Sequence, residues 1–138
     1  MKYYLDDTYE YDFLLLGISC HERDYRVSWA LNQKLTLQLI KEKKDLEVFL
    51  NKSNEPSLHS VYTYKNKETH NEFFLLNNRS NTGLLIPEQP LADYLLIIKE
   101  NFNFSADLCL SKIKSITFIL TAFKIPVEQL KSKENLIF

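Results

Sequence analysis

Apolar and polar positions alternate, lengthen to a helical period, and then alternate again, and this succession predicts the fold. Tyr9, Tyr11, Phe13 and Leu15 alternate with Glu10 and Asp12 before both parities turn apolar through Leu16 and Ile18. That is the pattern of a strand running into the middle of a sheet. From Glu22 to Gln33, Val27, Ala30 and Leu31 fall at three- and four-residue steps, which predicts a helix with Tyr25 and Trp29 one turn apart on an adjoining stripe. Glu22 and Asp24 lie in its first turn, where acidic groups suit the helix dipole.

Leu35, Leu37 and Leu39 then alternate with Thr36 and Gln38, and Leu46, Val48 and Leu50 follow the charged run Lys41-Glu42-Lys43-Lys44. The pattern predicts a hairpin whose turn is that solvated run. A polar break from Ser53 to Ser57 leads to a second hairpin, with strands at Val61 to Tyr64 and Glu72 to Asn77, and Asp93 to Lys99 reads as a further strand. Ser105 is placed to cap a last helix, because Cys109, Ile113, Ile116, Leu120 and Phe123 recur at helical spacing; the β-branched and aromatic content of Ile116 to Phe123 leaves a strand open for its second half.

Together these elements predict an α+β fold: one domain over residues 1–138, with a mostly antiparallel sheet of about five to six strands and two principal helices. Phe73 to Leu76 are apolar at both parities, so both sheet faces should be covered. Two helices suffice for one face, and a second copy of the chain, in a homodimer, is the expected cover of the other.

Composition narrows the chemistry. Apolar residues make up 45% and charged residues 25%, with a net charge of −1, so no concentrated basic field exists to attract nucleic acid or an anionic membrane. The N-terminus turns acidic at Asp6 and Asp7 and the apolar runs are short, which leaves no signal peptide or membrane span and predicts a cytoplasmic protein. Two glycines, Gly17 and Gly83, cannot write a phosphate-binding loop, and no cofactor is expected. Cys20 and Cys109 lack metal-ligand spacing and read as reduced, buried thiols; His21, His59 and His70 read as surface or turn residues too far apart to share a metal.

The most specific stretch is Ile86-Pro87-Glu88-Gln89-Pro90-Leu91-Ala92-Asp93-Tyr94. It resembles the signature of the bacterial IPExxxVDY family, with Ala92 where the family name has Val. The resemblance extends to Tyr11-Asp12-Phe13, Asp24-Tyr25-Arg26, Leu31-Asn32 and the tail Leu136-Ile137-Phe138. That family has no assigned function, so the likeness implies no activity.

Glu88, Asp93 and Tyr94 are the candidate binding residues. They would form either a rigid, hydrogen-bonded corner held by Pro87 and Pro90, or a cleft in which Glu88 and Asp93 act as an acid–base pair. Tyr94 is expected beside Tyr64 or Trp29. Arg23, Arg26 and Arg79 with Tyr25 and Trp29 raise a weaker nucleic-acid reading, offset by Glu22 and Asp24. The apolar tail would dock on the core or on a partner. A non-catalytic protein-binding or assembly module is favoured, acting by self-association or on a protein partner, with a small carboxylate-dependent enzyme as the alternative.

Overall fold

The computed structural model describes residues 13–49, 56–80, 83–99 and 104–136. Strand β1 (Leu14–Cys20) leads to helix α1 (Asp24–Leu35), the short strands β2 (Ile40–Lys41), β3 (Leu46–Val48) and β4 (Ser57–His59), and the longer β5 (Val61–Lys65), β6 (Glu72–Asn77) and β7 (Tyr94–Lys99). Helix α2 (Ala106–Lys114), strand β8 (Ile119–Lys124) and 3-10 turns at Val127–Gln129 and Lys133–Leu136 complete it. A six-stranded antiparallel sheet in the order β2-β5-β6-β7-β1-β8 is joined by a separate β3-β4 pair, which is the α+β architecture expected. Among the described residues no helix is long and apolar enough to cross a membrane.

The central strands are buried on both sides. Leu96 and Ile98 of β7 meet Val27, Leu31, Cys109 and Ile113 of the helices, while Leu95 and Ile97 face Leu85, Ile86, Val127 and Leu136 on the opposite side. The second face is therefore covered by the chain's own β6–β7 connection and C-terminal segment, with Leu46 and Val48 of β3 at its margin. The cover assigned to a second copy comes from within, because extended segments without regular structure bury apolar groups as well as a helix does.

Two expectations are corrected. Leu35 to Leu39 and Leu46 to Leu50 do not pair as a hairpin. Helix α1 runs on to Leu35 and ends at Thr36, whose left-handed backbone (φ 56°) returns its N–H to Asn32 O. Asn32 Oδ1 then accepts Leu39 N at 2.9 Å, so Leu39 is pinned by a side chain rather than by a strand. Leu37 and Leu39 alternate because they are buried in an extended helix exit. Strand β2 pairs with β5, and β3 pairs with β4. Of the expected strand, Leu50 lies outside the described residues, as do Tyr9 to Asp12 and the tail residues Ile137 and Phe138.

The last helix does not reach Phe123. It starts as expected, with Leu108 N donating to Ser105 Oγ at 3.1 Å, but it stops at Lys114 and the chain re-emerges as β8 against β1. Ile113 and Ile116 both face the core across that break, so their spacing continues the helical period without a helix.

Candidate functional site

The signature forms two successive turns. Gln89 N donates to Ile86 O at 3.0 Å and Ala92 N to Gln89 O at 3.1 Å. Pro87 and Pro90 each occupy the second position of a turn, where their fixed φ is already correct. Asn78, fully buried in the preceding loop, holds both bends: its Oδ1 accepts Ile86 N at 2.7 Å and its Nδ2 donates to Gln89 O at 3.1 Å and Ala92 O at 2.8 Å. Both donors of that amide and one lone pair of its oxygen are used on the corner. Ala92 is fully buried beside it.

The three candidate residues then reach three different parts of the chain. Glu88 accepts Ser132 N at 2.7 Å and Ser132 Oγ at 2.8 Å, fastening the C-terminal segment, which is also held by Asn135 Nδ2 on Leu85 O at 2.9 Å. Burial pushes the Glu88 carboxyl up, but the Ser132 hydroxyl and backbone bonds outweigh it and hold it below its ordinary value.

Asp93 serves the opposite side. Its Oδ2 accepts Cys20 N at 2.8 Å, at the point where β1 shifts register against β8, and its Oδ1 accepts Arg79 Nε at 2.5 Å. Arg79 Nη2 also donates to Pro90 O. Tyr94 donates its hydroxyl to Glu22 O at 2.5 Å, and burial raises its pKa, so the phenol remains a donor. Tyr94 lies opposite Asn77, four residues along β6 from the Phe73 that faces Tyr64, and Trp29 is exposed. Its expected neighbours are thus replaced by the head of α1.

Asp93 and Tyr94 together position the loop between β1 and α1, and a cleft of about 600 Å³ opens there, with His21, Arg23, Tyr25 and Arg79 among its walls. Glu88 and Arg26 are not among them. The two signature carboxylates therefore do not converge, and Arg26 turns instead to Glu22 at 3.4 Å and to the ring of Phe118. Cys20 lines the cleft with its thiol pKa raised by burial, the wrong direction for a nucleophile. Beside the cleft, Tyr25 and Trp29 stand 64% and 63% exposed.

Other expectations resolve in detail. Both cysteines are free and buried. His59, expected at the surface, is fully buried: Nδ1 donates to Asn77 O at 2.8 Å and Nε2 accepts from Ser57 Oγ. It belongs to β4, and its partners cannot be seen until β4 is laid beside the end of β6. His70 sits in the β5–β6 turn at φ 65°. No cluster of metal-ligating side chains occurs among the described residues.

Asn78, Ser132 and Asn135 carried no signal of their own in the sequence. Asn78 had only its place in an Asn-rich loop before two prolines, where an amide that caps turns is common. Comparison with known proteins gives no match to a family model, a curated protein or a solved structure.

Proposed function

We propose that the chain is a cytoplasmic, non-catalytic binding module of the IPExxxVDY family that engages a protein partner through the exposed head of α1 and the adjoining cleft. The observation that carries this reading is the exposure of Tyr25 and Trp29 on one stripe, next to Arg23 and Arg79. Tyr, Trp and Arg are the side chains that dominate binding energy at protein interfaces. An enzyme using Glu88 and Asp93 as a pair is less well supported, because Glu88 is committed to Ser132 and Asp93 to Arg79 and Cys20.

Within this reading Glu88 builds the surface from behind, whereas Asp93 and Tyr94 hold it and also line the adjoining cleft. Trp29 is the sole tryptophan, so its emission reports directly on occupancy of the site. A protein captured by the chain from its native host should shift the Trp29 emission to the blue on titration. A partner that binds without changing that emission would move the contact surface elsewhere.

A further inference from the structure

The six-stranded sheet ends in two unlike edges. Strand β2 is two residues long and runs at once into Glu42, Lys43 and Lys44, so shortness and charge close that edge to a further strand. Strand β8 is six residues long, contains no proline, and carries its one charge, Lys124, at the far end. Among the described residues it pairs with β1 alone.

The register fixes which backbone groups β8 has left over. Ile125 N donates to Leu15 O at 2.9 Å, and the pairing continues as Leu16↔Lys124, Gly17↔Phe123 and Ile18↔Ala122. Alternate residues of an antiparallel ladder bond to the same neighbour. Phe123, like Ile125, therefore turns its N–H and C=O to β1, while Ala122 and Lys124 turn theirs outward. The register shift opposite Cys20 bends only the start of the strand and leaves Thr121 to Lys124 regular. Leu120 is 63% exposed and Thr121 and Lys124 are exposed beside it, so this outer edge is open.

The residues of the edge suit a copy of themselves. Antiparallel pairing of two β8 strands about Ala122 sets Ala122 against Ala122, Thr121 against Phe123 and Leu120 against Lys124. The two Ala122 residues then exchange both their outward bonds, and the lysines stand at opposite ends of the pair. Each lysine stem also covers the exposed leucine of the other copy. Centring the pair on Phe123 instead would set Leu120 against Pro126, which has no N–H to give.

We infer that the chain forms a two-fold dimer through the outer edge of β8, joining two six-stranded sheets into one. The second copy extends the sheet at its edge and covers neither face. The inference stands on this edge and not on the α1 surface.

Sedimentation equilibrium of the full chain over a hundredfold range of concentration tests it, beside the variants Leu120→Lys, Leu120→Glu and Lys124→Pro. The natural chain should form a dimer and nothing larger. Leu120→Lys, at an exposed position, sets two lysines face to face and should weaken association at least tenfold. Leu120→Glu meets Lys124 with the opposite charge and should associate at least as tightly as the natural chain. Lys124→Pro removes an outward donor without taking a bond from β1, and should also weaken the dimer at least tenfold. A monomer at every concentration, as expected if some other strand closes this edge, would overturn the inference. So would growth beyond a dimer, an unchanged dimer in Leu120→Lys, or equal weakening by lysine and glutamate at position 120.

Discussion

Asp93 and Cys20, 73 positions apart in sequence, are joined by a 2.8 Å bond from the Cys20 backbone N–H to Asp93 Oδ2. The bond lies on the β7 side of β1, just past the last pair Ile18↔Tyr94, so the carboxylate accepts an N–H that the end of that ladder leaves open. It also fixes the end of β1 from which α1 departs. Asp93→Ala should lower unfolding free energy by about 2–3 kcal/mol, the usual scale for a hydrogen bond to a charged group. Urea denaturation measures it, and a loss under about 0.5 kcal/mol would mean the corner stands without this bond.

Glu88 predicts an acid-side loss of stability. Its folded pKa is depressed, so its contribution is complete above the unfolded carboxylate value and is lost as pH falls through the folded one. Glu88→Gln should therefore destabilise at pH 7 and converge on the natural chain as acid protonates Glu88. Denaturation midpoints of both proteins between pH 7 and pH 3 should show the gap closing; a constant gap would assign the effect to shape instead of charge.

His59 acts in a higher pH window. Burial lowers its pKa, the Asn77 carbonyl opposing that shift, so the folded chain prefers the neutral ring. Its contribution is full above the ordinary histidine value of about 6.5 and falls as pH drops from there through the folded pKa. Stability of the natural chain should decline in that interval. His59→Gln should flatten this part of the profile, as followed by thermal melts at closely spaced pH.

Gly17 tests the packing of β1 on β8. A Cβ at this position would come within 2.7 Å of the Phe123 ring and 3.0 Å of Ile125 Cδ1. The glycine is there for close approach rather than for a turn. Gly17→Ala should cost about 1–3 kcal/mol by overpacking, read from denaturant melts, and Phe123→Leu should relieve part of it.

Much of this architecture was legible in the chain. Alternation located β1, β5, β6 and β7, and the double-sided burial of β7 and β6 follows from residues apolar at both parities. Ser105 marked the start of α2. Periodicity did not mark its end, because Ile113, Ile116 and Ile119 all face one core and so keep a helix-like spacing across a helix and a strand; the β-branched and aromatic content of Ile116 to Phe123, which left a strand open, pointed to β8. Pairing of β2 with β5 and of β3 with β4 was also hidden: periodicity says that a segment is half-buried, not which edge it meets.

The site divides in the same way. The prolines declared a rigid corner, and Glu88 and Asp93 do accept backbone N–H bonds as anticipated. The donors, however, are Ser132 and Cys20, brought in by the fold, while Asn78 satisfies the bend itself. Long-range partners of this kind leave no local periodicity to read.

In the proposed mode of binding, Glu88 and Asp93 build the corner while Tyr25 and Trp29 form the contact surface. The most direct measurement pairs melting temperature with partner capture from native-host extract for two variants, Glu88→Gln and Tyr25→Ser/Trp29→Ser. Glu88→Gln should lower the melting temperature, yet while folded retain the partner, whereas the double variant should melt like the natural chain and lose a stoichiometric protein. Equal capture by the double variant and the natural chain, or loss of the partner in folded Glu88→Gln alone, would contradict it.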